Sequence, residues 1–303
     1  MAIRHLVAFI ALAEELHFAR AAERLHVTQP ALSQTLRQLE AEVGVQLVIR
    51  STRRVALSPE GALFLPSARA AVEAFDAAIA GVRRLAAGEL GHLRVGYTIG
   101  AAVDLVPEIL RQFGQRYADV ELDLAEYDFG MPAAGLDGDA VDVAIMRPPI
   151  DVADIVFHEL LQEPRVACLP SSHRLAQRDT VSVQDVLGEP IIAAPGTGVW
   201  RDYWICAEYR DEPARIVSEA ATFEAELQQV AAGRGISITA MAAARFYSRP
   251  GVAFVPIEDI PPCVVAVAHR SDRKPAVDRF VDVAVGVATR GRETRAAGMA
   301  GRQ

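Results

Sequence analysis

The 303-residue chain has little of several things. It has one lysine, Lys274, so arginine supplies nearly all of its positive charge. It has three cysteines, Cys168, Cys206 and Cys263, far apart and odd in number. That excludes a disulfide framework and a cysteine-ligated metal site of ordinary spacing. No apolar run approaches the 18 residues of a membrane span, and the N-terminus lacks the continuous apolar core and small-residue cleavage site of a secretory signal. The expected compartment is the cytoplasm, with no membrane partner. Catalytic signatures are missing too: no GxSxG elbow, no HExxH pair and no phosphate-binding GxxxxGK[ST] loop. The seven histidines are isolated from one another in the sequence, and Asp137 and Asp139 fit a solvated turn. The expectation is a protein that is not an enzyme, without cofactor or metal.

What is present is unevenly distributed. The net charge is −8, yet residues 1–88 carry 10 arginines against 8 acids, and the excess of acid lies beyond them. A local basic patch can hold phosphates despite a negative total. Leu6, Phe9, Ile10 and Ala13 recur at helical spacing, and a second helix spans about Ala19 to Leu25. After a short turn comes TQPALSQTLRQLE. Thr28 is suited to cap the orphan amides of a third helix, and Pro30 in its first turn has no amide to satisfy. Leu32, Leu36 and Leu39 then face inward, leaving Gln29, Ser33, Gln34 and Arg37 on the outer side. Two short helices, a tight turn and a strongly capped second helix make a helix-turn-helix pattern. Such a face fits the major groove, where glutamine matches adenine and arginine matches guanine or phosphate. A capped surface helix of an ordinary bundle would show the same pattern. LVIRSTRRVAL follows as the arms of a short hairpin with Arg50, Arg53 and Arg54 at its turn: a phosphate-gripping wing, or a solvated arginine cluster. From Ser58 and Pro59 a helix of nearly thirty residues runs to about Ala87, its inner positions mostly alanine, which suits pairing with a second copy.

Together these pieces resemble the DNA-binding head of LysR-type transcriptional regulators. Phe18, Ala21, Ala22, Leu25, Thr28, Gln29, Pro30, Ser33, Leu39, Glu40, Gly44, Leu47, Arg50, Arg54, Leu57, Ser58, Pro59 and Gly61 carry the likeness. Val48 stands where the family usually has phenylalanine, and Thr28 and Ser58 exchange the usual serine and threonine. The resemblance implies a winged helix-turn-helix over 1–58, a linker and dimerisation helix over 59–88, and an effector-binding region over 91–303. That region would hold two Rossmann-like subdomains related to periplasmic solute-binding proteins: I, about 91–161 plus 266–295, and II, about 162–265.

The pattern of the second part agrees with an α/β reading. HLRVGY, VELDLAEY, DAVDVAIM, RVACLP, PIIAA, RIVSEA, GISITA, VAFVPI and CVVAVAHR read as strands, a helix as lying within 101–117, and AVDRFVDVAVGVATR as a late helix with a frayed tail after Thr289. Ligand groups in such folds sit beyond strand ends. Thr98, Ile99 and Gly100, Arg147 after its strand, and Thr197 between two glycines are therefore expected around an effector, with free amides at 98–100 and Arg147 receiving an anion. Phe129 stands where some family members have a small polar residue and implies aromatic packing at the floor.

The implied function is a sequence-specific transcriptional regulator modulated by a small, anionic metabolite of unknown identity. Its expected partners are double-stranded DNA, further copies of itself as homodimer or homotetramer, RNA polymerase and the effector. A redox sensor using Cys206 is an alternative within the family, and an α/β enzyme converting a small molecule is a remote one.

Overall fold

The computed structural model describes residues 2–50 and 55–300, with Arg50 and residues 294–300 described by backbone alone. It divides into two compact units, residues 1–84 and 85–303.

In the first unit, α1 (Ile3–Glu15), α2 (Phe18–Arg24) and α3 (Gln29–Val43) surround one apolar core. Phe9, Leu12, Leu36 and Leu39 are completely shielded from solvent. Each helix start has a local cause. The His17 ring accepts from the Arg20 amide ahead of α2, and Thr28 Oγ1 accepts from the Ala31 amide ahead of α3. The turn between α2 and α3 passes through His26 at φ 54°, and Gly44 at φ 84° stops α3 in the left-handed conformation that glycine tolerates. Glu40 then binds the next segment to α3, its Oε1 accepting from the amides of Leu47 and Val48 at 3.0 and 3.1 Å.

β1 (Val48–Arg50) and β2 (Val55–Leu57) pair antiparallel as the arms of the wing. Arg53 and Arg54 lie outside the described residues. Ser58 opens α4 (Pro59–Ala86), donating to the Gln46 carbonyl and accepting from the Gly61 amide. Gly61 is required there, because a Cβ would overlap the Leu47 carbonyl. Apart from Leu65, which packs half-buried against the head's core, the inner positions expected of α4 are not inner within the single chain. Ala70, Ala74, Ala77, Ala78 and Leu85 are exposed, Leu63 is 81% exposed, and Gly61 and Ala68 are the helix's buried residues. Nothing in the described chain covers that apolar face.

The second unit is built on a five-stranded sheet in the order β4-β3-β5-β12-β6. β3 (Gly91–Thr98) lies parallel to β4 (Val120–Tyr127) and β5 (Val143–Met146), while β12 (Cys263–Arg270) runs antiparallel to β5 and to β6 (Ile155–Glu163). α5 (Val106–Arg116) and α10 (Pro275–Ala300) bury Ile109, Phe113, Val277 and Phe280 against it. β6 is a strand that the sequence pattern did not single out. Beyond Thr289, α10 continues as helix to Ala300. The chain crosses at Pro164 into a second body, where β7 (Arg165–Pro170) is flanked antiparallel by β10 (Ser237–Ala240) and β11 (Val252–Pro256). A two-stranded parallel pair, β8 (Ile191–Ala193) and β9 (Ile216–Glu219), lies on the same body, with α6 (Val183–Leu187), α7 (Val199–Trp204), α8 (Phe223–Ala231) and α9 (Ala242–Phe246). Among the described residues no helix is long and apolar enough to cross a membrane.

Candidate DNA-reading face and effector pocket

On α3 the three leucines form an inward stripe at spacings of four and three, so the outer side is fixed by the helical period. Thr28, Gln29, Pro30, Gln34 and Arg37 are exposed and Ser33 is half-buried. Arg37 Nε donates to the Ser33 carbonyl at 3.2 Å, which holds the guanidinium along the same face. Amide, hydroxyl and guanidinium groups thus share the outer side of α3 over its first nine residues. Arg50 lies in the first arm of the wing.

The second unit contains a cavity of about 50 Å³ between its two bodies. The topology explains its position. β3 and β5 are neighbours in one sheet, so Thr98 at the end of β3 and Arg147 just beyond β5 emerge side by side. Thr98, Ile99, Gly100, Phe129 and Arg147 line the cavity from this body. Thr197 does not line it; it is exposed on the loop before α7. From the other body come residues that the sequence reading missed: Trp200 and Trp204 of α7, Phe223 and Glu226 of α8, and the small side chains Ala240, Ala242 and Ala243. Phe129 meets Trp200 and Phe223 at ring separations of 5.7 and 6.2 Å. The expected aromatic floor is there, and it is wider than one phenylalanine.

Two electrostatic features differ from the expected anion cradle. The Ile99 amide is already used, donating to the Tyr127 carbonyl, and α5 begins only at Val106, so no helix N-terminus stands at 98–100. Arg147 is buried and its charge is matched: it forms a hydrogen-bonded ion pair with buried Glu163. Two further donors reach the Gly100 carbonyl at 3.1 Å and Cys263 Sγ at 3.2 Å.

Glu226 is buried, and that burial pushes its carboxyl up to about 7, partly offset by the hydrogen bond from Ser237 Oγ at 2.6 Å. Because the folded value exceeds the unfolded one, stability is lost as pH rises through this interval. Glu226→Gln is therefore expected to stabilise this unit more at pH 8 than at pH 5, by on the order of 2 kcal/mol. Urea unfolding followed by tryptophan fluorescence reads this directly; an equal effect at both pH values would contradict it.

All three cysteines are free and buried, and burial raises the thiols of Cys168, Cys206 and Cys263 above the ordinary range. A thiol so held is a poor nucleophile toward oxidants, so nothing at Cys206 favours the redox alternative. Among the described residues no cluster of three or more His, Cys, Asp or Glu is placed to hold a metal.

Residues 3–62 match the family model "Bacterial regulatory helix-turn-helix protein, lysR family", and residues 86–288 match "LysR substrate binding domain". The HTH-type transcriptional regulator AlsR of Bacillus subtilis is 31% identical over 98% of this chain and 99% of its own length. The Hca operon transcriptional activator HcaR of Escherichia coli is 31% identical, over 93% and 97% respectively. The crystal structure of CbnR, a LysR family transcriptional regulator, superposes with a TM-score of 0.69 at 27% identity, covering 94% of this chain and all of that one. Full-length CbnR complexed with its target DNA gives 0.67 at 26% identity, covering 95% of this chain and all of that one.

Proposed function

The chain belongs to the LysR family of transcriptional regulators, and from that premise we propose which of its residues read DNA, pair copies and receive the effector. The family's members are DNA-binding regulators with an effector-binding domain, not enzymes; this chain has the winged helix-turn-helix head and the two-body α/β region of that architecture.

The proposed division is 1–58 for the head, 59–88 for the linker helix and 91–303 for effector binding. Gln29 and Ser33 contact base edges, Gln34 and Arg37 an edge or the backbone, and Thr28 and Pro30 set the helix start against the duplex. Arg50, Arg53 and Arg54 grip phosphates from the wing. The single observation that carries this is the sorting on α3: its leucines are buried, and an amide, a hydroxyl and a guanidinium share the opposite side. The relative CbnR has been crystallised with its target DNA, which supports a groove-entering role for the equivalent head here.

The uncovered apolar face of α4 pairs two copies, and two such pairs form the tetramer. Pairing places two heads on half-sites about one helical turn apart or a multiple of it. The protein works in the cytoplasm beside RNA polymerase. A small effector in the cavity alters regulation by binding two arrangements of the α/β bodies unequally. Footprinting on genomic fragments selected with the purified protein is expected to show two protected half-sites. Leu63→Glu, which alters only an exposed position of the single chain, is expected to reduce protection to isolated half-sites at much higher protein concentration. Unchanged paired protection by that variant would contradict dimerisation through α4.

A further inference from the structure

The aromatic content of the chain is only 6%, yet Phe129, Trp200, Trp204 and Phe223 converge on one cavity. Its charge balance is unusual for a site expected to receive an anion. The lining contains one cation, Arg147, already committed to buried Glu163, and one acid, Glu226. With Arg147 and Glu163 cancelling, the lining is neutral when Glu226 is protonated and negative when it is not. Neither state attracts a carboxylate. The arginines on the pocket-lining helices α7 and α9 are matched as well: Arg201 of α7 pairs with Glu219 at 2.8 Å and Arg245 of α9 with Asp104 at 3.3 Å. An incoming anion that took the Arg147 donor bound to Glu163 would leave that carboxylate buried without its partner, a costly exchange.

Two uncharged groups of the cavity lining are buried without a partner. Thr98 Oγ1 and Trp204 Nε1 are buried and have no hydrogen-bond partner among the described residues, and both residues line the cavity. Trp200 Nε1, in contrast, already donates to the Arg147 carbonyl at 3.0 Å. A hydroxyl and an indole N–H suit one ligand oxygen that accepts hydrogen bonds. The remaining walls are mainly ring faces, alanines and isoleucines, with Thr239 among them, which suit a flat, largely apolar body. At about 50 Å³, against about 10–15 Å³ of the same kind of space for one water, the cavity takes a small ligand.

We propose that the effector is an uncharged molecule of single-ring size with a carbonyl or hydroxyl oxygen, held by the rings of Phe129, Trp200 and Phe223 and hydrogen-bonded by Thr98 and Trp204. This rests on the reading that the cavity between the α/β bodies is the effector site. It replaces the anionic metabolite expected from Arg147 by a neutral one.

The chain's only two tryptophans, Trp200 and Trp204, both line the cavity, so their fluorescence reports occupancy in the full-length protein. Benzamide, benzoate and benzylammonium share one ring and differ in charge. Benzamide is expected to change the emission saturably, with an affinity at least about tenfold above either ion, and Thr98→Val to weaken it about tenfold. Glu163→Gln, which frees Arg147, is expected to shift the benzamide-to-benzoate preference toward benzoate by about tenfold or more. Wild-type protein that binds benzoate as tightly as benzamide, or that ignores benzamide up to about 10 mM, overturns the neutral assignment. Benzoate binding that Thr98→Val abolishes would leave the cavity as the effector site and sink only the neutral charge. Benzamide that alters DNA affinity without moving the tryptophan signal would sink the cavity reading itself.

Discussion

Arg147→Met is expected to cost the full-length protein about 3–5 kcal/mol of stability, because it leaves the Glu163 side chain buried and without its partner. The two side chains are 7% and 9% exposed, so water cannot take over the lost contact. The neighbouring thiol of Cys263 does not help, since it donates to the Glu163 backbone carbonyl rather than to the carboxylate. The location adds to the effect. Glu163 ends β6 and Cys263 begins β12, so the pair stands where the chain enters and leaves the second body. Removing both charges together, as in Arg147→Met with Glu163→Leu, is expected to recover most of the loss, because desolvation then costs nothing. Urea unfolding monitored at the tryptophans measures both variants. A single variant that loses no more than an exposed pair, roughly 0–1 kcal/mol, would show that water reaches the site.

Gln29→Ala is expected to weaken binding to the specific site by about 1–3 kcal/mol, roughly 5- to 150-fold, while leaving affinity for unrelated DNA unchanged. The side chain is exposed at the first position of α3 and the Leu32, Leu36 and Leu39 stripe beneath it stays intact, so the change removes a contact without touching the core. Arg37→Ala should act differently if it holds a phosphate: specific and non-specific affinity fall together, and the salt dependence becomes shallower by about one ion. Fluorescence anisotropy across a salt series separates the two patterns. Equal losses on specific and unrelated DNA for Gln29→Ala would reassign it from base to backbone.

The head was legible because its determinants are local. The leucines of α3 obey the helical period, and Thr28 and Ser58 are caps whose partners lie three residues on. Alternating strands of the second unit were legible for a similar reason, but β6 was not. IVFHELLQE interrupts its apolar residues with histidine and glutamates: at this sheet edge Glu159 faces water, while Glu163 is buried as the partner of Arg147.

The pocket was legible from strand ends and opaque elsewhere. Thr98 and Arg147 follow from the rule that ligands gather beyond strand termini. The neutralisation of Arg147 did not, because nothing in the sequence marks a glutamate sixteen residues later as its buried partner. Thr197 was a loop residue beside glycines, and the loop turns it outward. Two signals were available and unused. Trp200 and Trp204 are one helical turn apart in a chain with no other tryptophan, and Glu226 interrupts the apolar stripe of Phe223, Leu227 and Val230 on α8.

Selection of bound duplexes from a random-sequence pool by the purified protein tests most directly whether the outer side of α3 reads bases. Wild-type protein is expected to enrich an inverted repeat, and Gln29→Ala to lose preference at one position in each half-site while retaining the others. No enriched sequence from wild-type protein, or an identical preference from the variant, would contradict the assignment of that face.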